Sequence, residues 1–241
     1  MKLKIMTYNV CSGRNFNNDK IINICDAGKV IQKYSPDIVG LNEIRGLGNV
    51  EKFFTDQART LGEMLGCYYY FAKAIDFDCE GPYGNALLSR FPILSAETHL
   101  IEDPPVKDED AYYETRCVLK AKLDVKNGLN VYVSHYGLAN SEKINAVKKT
   151  LELIIGDKNP LIFMGDLNME PNDIKLAPIY GTLNDTAKAS KSKDDLLTFP
   201  SHVPDRKIDY IFVSKNIKVL SAEVPGETTS DHRPYIAEIE I

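Results

Sequence analysis

Asp166 and Asn168 close the run Leu161-Ile162-Phe163-Met164-Gly165-Asp166-Leu167-Asn168. Four apolar residues between Pro160 and Gly165 predict a short strand buried on both faces. In an extended chain the two polar side chains project to the same side, because strand side chains alternate with a period of two. A carboxylate and a carboxamide leaving a buried strand together pack poorly, but they can hold a metal ion or align a water. A loop Asp and Asn capping the next helix is the plainer reading. Similar groups stand where other predicted strands run out: Asn9, Glu43, His135, Asp209, and Asp231 with His232. Singly, each has a plain structural explanation: a turn residue, a surface charge, a satisfied core histidine, a strand-edge acid. Together they interrupt apolar runs repeatedly, and ligand sites in layered α/β proteins form at such strand ends.

Several elements must deliver these groups. Leu3 to Val10 is the first predicted strand, carrying Asn9 at its end. Ile21, Ile24, Cys25, Ile31 and Tyr34 make a helical stripe closed by Pro36. The apolar run from Asp37 to Leu41 delivers Asn42-Glu43. A second helix follows, with Phe54, Ala58, Leu61 and Leu65 on one face and Gly66 at its stop. Strands are then expected over Tyr68 to Ala72, Asn85 to Ser89, Ile93 to Ile101, Arg116 to Val125 and Leu129 to His135, with Asn127-Gly128 as a hairpin turn. The acidic stretch Glu102 to Glu114, with Pro104-Pro105, reads as a solvated loop, and a substrate-contacting lid is the alternative. Ser141 is the expected cap of a helix bearing Ile144, Val147, Leu151, Ile154 and Ile155 on one face. A short helix or turn follows at Pro171 to Pro178, and Lys188 to Asp195 is a polar surface loop. Ile208 to Val213, Val219 to Val224 and Tyr235 to Ile241 are the closing strands. Roughly ten strands with three or four helices, and long strand-only runs, suit two sheets packed face to face with helices outside.

Composition excludes several classes. The chain is 44% hydrophobic and 26% charged, which supports a sizeable core and argues against wholesale disorder. A net charge of −5 argues against a surface built mainly to hold polyanions. A phosphate substrate stays open, since a bound divalent cation changes the local sign. The five cysteines (Cys11, Cys25, Cys67, Cys79, Cys117) are scattered and never in a C-x-x-C pair, so neither a disulfide framework nor a structural zinc site is expected. The start lacks the apolar region of a signal peptide, and no run approaches the roughly 18 apolar residues of a transmembrane segment. A soluble protein of a reducing compartment, the cytoplasm, is the expectation. The signatures of dinucleotide-binding, P-loop and zincin sites are absent from the sequence.

Seven stretches occur in one order: Thr7-Tyr8-Asn9-Val10, Leu41-Asn42-Glu43-Ile44, Tyr83-Gly84-Asn85-Ala86-Leu87-Leu88-Ser89-Arg90, Ser134-His135-Tyr136-Gly137-Leu138, Gly165-Asp166-Leu167-Asn168, Arg206-Lys207-Ile208-Asp209-Tyr210-Ile211 and Ser230-Asp231-His232. The series resembles the endonuclease/exonuclease/phosphatase superfamily, whose relatives include DNase I, exonuclease III-type repair nucleases, sphingomyelinases and inositol polyphosphate 5-phosphatases. The resemblance implies a DNase I-like, four-layered α/β sandwich, with two mixed β-sheets packed face to face and helices outside, formed by residues 1–241 as one domain. It implies a divalent-metal-dependent phosphoesterase. On that pattern Glu43 is the principal Mg²⁺ ligand (Mn²⁺ as a substitute), with Asn9 beside it and Asp231 in the metal region. Asp166 and Asn168 orient water and phosphate, His232 is the catalytic histidine, Asp209 orients it, and His135 contacts the scissile phosphate. Arg116 and Asn85 are the expected substrate-binding residues. A surface ion pair is the alternative for Arg116, and a structural role for Asn85. His99 and His202 are expected at the surface.

These residue types suit the chemistry. Phosphoester hydrolysis moves charge onto oxygens, so catalysis is mainly positioning and electrostatic stabilisation. Mg²⁺ takes oxygen ligands and retains waters, so one or two carboxylates and an amide suffice. A buried Asp on one imidazole nitrogen fixes the tautomer and raises the imidazole pKa. Water activation by Asp166 or by His232 are both open on the sequence. The chain has no tryptophan, nor a basic, aromatic-rich insertion of the kind that wedges into a duplex. A small-molecule or lipid-like phosphoester is therefore favoured over nucleic acid. A nuclease is the rival within the enzyme class, and a non-catalytic binding protein on the same fold is the rival outside it.

Overall fold

The computed structural model describes residues 1–18, 20–48, 55–77, 81–190, 192 and 194–241. Among these, twelve strands form two six-stranded sheets. The first sheet contains β1 (Lys2–Asn9), β2 (Ile38–Arg45), β3 (Tyr68–Phe77), β4 (Gly81–Ser89), β11 (Lys218–Glu223) and β12 (Tyr235–Glu240), in the order β11-β12-β1-β2-β4-β3. The second contains β5 (Ile93–Leu100), β6 (Cys117–Leu123), β7 (Leu129–Ser134), β8 (Leu161–Asp166), β9 (Asn184–Asp185) and β10 (Asp209–Val213), in the order β5-β6-β7-β8-β10-β9. Pairs β1–β2 and β7–β8 are parallel and the other neighbours antiparallel, so both sheets are mixed.

Strand periodicity builds the layers. Leu3 and Ile5 of β1, Val131 and Val133 of β7, and Ile162 and Met164 of β8 point between the sheets, into one central core. Met6 and Tyr8 alternate with them and meet Ile24, Val30 and Ile31 of α1 (Ile24–Tyr34) and Leu61 of α2 (Gln57–Leu65). Tyr132 and Phe163 face the other way, onto Val147 and Ile154 of α3 (Asn140–Ile154) and Ile179 of α4 (Ala177–Thr182). Helix, sheet, sheet, helix is the four-layered sandwich expected. Strands buried on both faces read as continuous apolar runs, which is why Leu161–Met164 stood out. Burying each such side chain contributes about 1.5–3 kcal/mol. No helix among the described residues is long and apolar enough to cross a membrane. Cys11, Cys25, Cys67 and Cys117 are free thiols, and Cys79 and Phe54 lie outside the described residues.

The start of α3 corrects the sequence reading. Ser141 lies inside the helix, and Ala139, at the cap position, has no side-chain acceptor. Glu142 substitutes by accepting the Ala139 N–H at 3.1 Å. Glu109, on the acidic loop, accepts the N–H groups of Asn140 at 2.6 Å and Ser141 at 2.9 Å. The loop is therefore fastened to α3 rather than simply solvated. The apolar face differs too: Ile144 and Ile155 are exposed, and Ala146, Val147, Thr150 and Ile154 are buried. Hydrogen bonding by Ser141 first, then by the Asn140 N–H, holds Glu109 at a pKa of about 2. That is below the ordinary carboxylate value, so its contribution is present above about pH 4.3 and is lost as pH falls towards 2. Glu109→Gln should lower the thermal midpoint at pH 7, and the gap from wild type should close by about pH 2. A gap constant across that range would contradict the capping role.

Candidate active site

The ends of β1, β2, β7 and β8 meet the start of β10 at one rim of the sandwich. One buried amide pins them. Asn42 Oδ1 accepts the Asp166 N–H at 2.9 Å, while its Nδ2 donates to Asn85 Oδ1 at 2.8 Å and to the Ser134 carbonyl at 3.1 Å. Loss of such a partner leaves a buried polar group at a cost of about 1–3 kcal/mol. Asn85 is thereby occupied: its Nδ2 donates onward to the Cys117 carbonyl at 3.1 Å, and the residue is buried. Its side chain bridges the two sheets, from β2 to β6.

Glu43 is aimed by a bulge. The β2–β4 register shifts between Leu41 and Ile44, and Glu43 takes a left-handed φ of 59°. Bulges re-aim side chains at site rims, and a non-glycine residue at positive φ stores strain. Asn9 Nδ2 donates to Glu43 Oε1 at 3.0 Å and to Asp166 Oδ2 at 3.1 Å. Its Oδ1 accepts the Cys11 N–H at 3.1 Å, so the donor side of the amide faces the two carboxylates. Ser230 Oγ lies 2.8 Å from the Asn9 carbonyl and 3.1 Å from Asp231 Oδ1. Burial first, then the charges of Asp231 and Glu43, push the Cys11 thiol well up.

Asp166 is the hub. Register pairs it with Asp209 across β8 and β10. Its Oδ2 lies 3.4 Å from His135 Nε2 and 3.6 Å from His232 Nε2. His232 Nδ1 is bound to Asp209 Oδ2 at 2.8 Å, giving an acid–imidazole–acid line whose ligand atoms fall within 4.8 Å of one another. Burial alone would lower the His232 pKa, but Asp209 and Asp166 overcome it and raise it to about 10. Burial, reinforced by Asp209 and opposed by His232, pushes Asp166 up to about 7. His232 is thus held as the imidazolium, facing the Asp166 carboxyl.

The β8 exit differs from the extended chain expected. The strand ends at Asp166, and Asn168 adopts a left-handed φ of 49°. Its N–H turns back to Asp166 Oδ1 at 3.0 Å, an Asx-type turn, and its Nδ2 donates to the Tyr136 carbonyl at 2.9 Å. The two polar side chains do share a site, through a turn rather than through strand alternation.

Arg116 lies behind His135, buried. Its Nη1 stands 2.6 Å from Glu114 Oε1 and 3.0 Å from His135 Nδ1. A guanidinium only donates, so Nδ1 accepts and Nε2 carries the proton, directed towards Asp166. Burial, then Arg116 and His232, hold His135 well below the ordinary histidine range, hence neutral. Arg116 is buried against Glu114 and His135 rather than in a surface ion pair. Arg116→Met would strand the Glu114 carboxylate, and removing one partner of a buried pair costs about 3–5 kcal/mol. Urea denaturation should show that loss, with Glu114→Gln in the same chain restoring most of it. Equal losses in single and double variants would contradict the pairing.

Sequence reasoning gave Asn42 no role in the site and overlooked Glu114 and Ser230. Asn42 carried a usable signal, a carboxamide inside an apolar strand, whereas Glu114 and Ser230 carried none. His99 pairs with Glu97 at 3.0 Å and His202 is exposed, so both stand away from the rim groups. The donor set fits a divalent cation. Glu43 and Asp231 supply hard carboxylate oxygens, linked through Asn9, whose amide donates to Glu43 at 3.0 Å and whose backbone carbonyl accepts from Ser230 beside Asp231.

The family model for the Endonuclease/Exonuclease/phosphatase family matches residues 6–232. Over 253 residues the chain is 23% identical to the uncharacterised protein YbhP of Escherichia coli, covering 99% of this chain and 96% of that one. It is 29% identical over 160 residues to exodeoxyribonuclease III of Haemophilus influenzae, covering 61% of this chain and 53% of that one. A solved mannosyl-6-phosphatase from Bacteroides thetaiotaomicron has the same fold, with a TM-score of 0.79, 19% identity, and coverage of 99% of this chain and 100% of that one. Fold, rim geometry and the match over residues 6–232 agree, and the chain belongs to the endonuclease/exonuclease/phosphatase family.

Proposed function

We propose that this chain is a divalent-metal-dependent hydrolase of small-molecule phosphoesters, acting by in-line attack of water on phosphorus. The observation that carries the reading is Asp166, buried where two imidazoles, the Asn9 amide and the Asn168 N–H converge on one carboxylate. Glu43 and Asp231 would hold the cation, which supplies charge neutralisation at a phosphate oxygen when bound. Asp166 accepts a proton from water as the new P–O bond forms and the ester P–O bond breaks, and the alkoxide leaves as the alcohol after taking a proton from solvent. General base catalysis of this kind contributes about 10²–10⁴-fold. The His232 imidazolium, held by Asp209, and the His135 Nε2–H donate to phosphoryl oxygens as negative charge grows there. Asn168, tied by its backbone to Asp166 and by its side chain to the Tyr136 carbonyl, keeps its amide beside the phosphate. The mannosyl-6-phosphatase among the solved structures of this fold makes a phosphorylated small molecule a natural first substrate class.

The test is a panel: p-nitrophenyl phosphate, bis(p-nitrophenyl) phosphate, sugar phosphates and supercoiled plasmid, each with Mg²⁺ and with EDTA. Turnover of a small phosphoester with Mg²⁺, lost in His232→Ala, is the expected result. No turnover anywhere, or an unchanged His232→Ala, would sink the reading. A second reading, a nuclease, draws on the similarity to exodeoxyribonuclease III. It predicts plasmid nicking at low enzyme concentration that disappears in Asp166→Ala.

A further inference from the structure

Beside Asn168 the rim opens into a cavity of about 490 Å³. That volume is within the range of small-molecule sites. Asn168 is shared between this cavity and the reacting groups: its amide stands 3.2 Å from His135 Nε2. An ester with its phosphorus at Asp166 therefore has this space open to its alcohol portion.

The walls are chemically mixed. Glu170 and Asp173 bring carboxylates, Asn168 and Asn172 amides, and Lys143, Lys175 and Arg206 positive charge. The apolar share is Leu138, Met169 and Ile208, and no aromatic among the described residues lines the space. A nucleobase would be recognised by stacking on aromatic rings, worth about 1–3 kcal/mol per base. An acyl chain would need walls that are mostly apolar. Hydroxyl groups both donate and accept, so a compact polyol matches alternating carboxylates, amides and ammonium groups.

The cations differ in what they already bind. Lys175 Nζ is paired with Asp173 at 3.0 Å, and Arg206 Nε with Asp205 at 3.3 Å. Lys143, half-buried on the first turn of α3, donates its backbone N–H to the Ala139 carbonyl, and its ammonium group has no hydrogen bond or ion pair among the described residues. It still stands close enough to feel the Asp173 and Asp166 charges, and burial lowers its pKa. An ammonium has three donors and no acceptor, so Lys143 has donors to spare for oxygens that enter the cavity.

Resting on the hydrolase reading above, we propose that this cavity holds the alcohol portion of a compact polyhydroxylated phosphoester, a phosphorylated sugar or polyol. Lys143 is the residue that selects it, acting on specificity rather than on the bond-making step.

Steady-state kinetics with Mg²⁺ tests this on a hexose 6-phosphate, a mononucleotide, a glycerophospholipid headgroup ester and p-nitrophenyl phosphate. Wild type should prefer the hexose phosphate to the mononucleotide by about tenfold or more in kcat/KM. Lys143→Met should cut the hexose phosphate to p-nitrophenyl phosphate ratio of kcat/KM by about tenfold, the loss lying in KM. Glu170→Gln, an exposed position, should move the ratio in the same direction, and thermal midpoints would show that both variants fold. A mononucleotide or headgroup preference, or a ratio unmoved in both variants, would overturn the cavity assignment while leaving the hydrolase reading intact. Absence of turnover on every phosphoester would overturn both.

Discussion

Asp166→Asn is expected to lower kcat by about 10³-fold or more while leaving the fold intact. The substitution keeps the shape and one carbonyl oxygen, so the Asn168 N–H retains an acceptor. It removes the proton acceptor that lies between two imidazoles at 3.4 and 3.6 Å. General base catalysis accounts for about 10²–10⁴ of such a loss, and weaker organisation of His135, His232 and Asn9 adds to it. Stability should change little. Asp166 is 1% exposed and burial drives its carboxyl up, so the ionised form is disfavoured by the fold. A group whose folded pKa lies above its unfolded one loses stability as pH rises through the folded value, which for Asp166 is about 7. At pH 8 relief of the buried charge favours the Asn variant, while its Nδ2 would face the Asn9 Nδ2 donor that Oδ2 accepted at 3.1 Å. The melting point should therefore stay close to wild type. Turnover within tenfold of wild type would remove Asp166 from the mechanism, whatever the melting point.

Gly165→Ala should be the most damaging single methyl in the molecule. Gly165 sits between Met164 and Asp166 with φ +143°, and a Cβ there would stand 1.8 Å from the Ser134 carbonyl oxygen. Both objections are backbone ones, so side-chain repacking cannot relieve them. β7 and β8 would have to separate at the rim that carries His135 and Asp166. Ordinary overpacking costs about 1–3 kcal/mol. A backbone clash joined to a disfavoured φ should exceed that, at about 4 kcal/mol or more, enough to abolish cooperative unfolding or soluble expression. Gly181→Ala is the matched control. It lies in α4 with nothing within 4 Å of the added carbon, and helix propensity favours alanine by about 0.8–1.0 kcal/mol. Thermal melts of the two variants should shift in opposite directions. A Gly165→Ala protein that melts like wild type would contradict the close approach of β7 and β8.

What could be read from the chain was burial, and what could not was partnership. Leu161 to Met164 announced a doubly buried strand because both faces of β8 are covered, one by the opposite sheet and one by α3 and α4. Asn9, Glu43, Asp209 and His232 stood out because polar groups are rare in such surroundings. Asn168 reached the site by a left-handed turn that no alternation pattern encodes. Ser141 looked like a helix cap by type, yet the cap comes from Glu109, whose proximity only the fold creates. Asn85 and Arg116 stood out by type, an amide and a guanidinium beside predicted strand ends. Whether an amide or guanidinium faces substrate or a neighbouring strand depends on what the other sheet presents, and that is non-local. Asn42 shows the same limit, since its partners on β4, β7 and β8 are spread along the chain.

The central claim is that the carboxylates around Asn9 hold a divalent cation that phosphoester hydrolysis requires. Its most direct test is the rate of p-nitrophenyl phosphate or bis(p-nitrophenyl) phosphate hydrolysis against Mg²⁺ concentration, for metal-stripped wild type and Glu43→Ala. Wild type should be inactive in EDTA and recover saturably, with Glu43→Ala needing about tenfold or more Mg²⁺ for half-recovery. Equal rates in EDTA and in Mg²⁺, or superimposable Mg²⁺ curves for the two proteins, would contradict it.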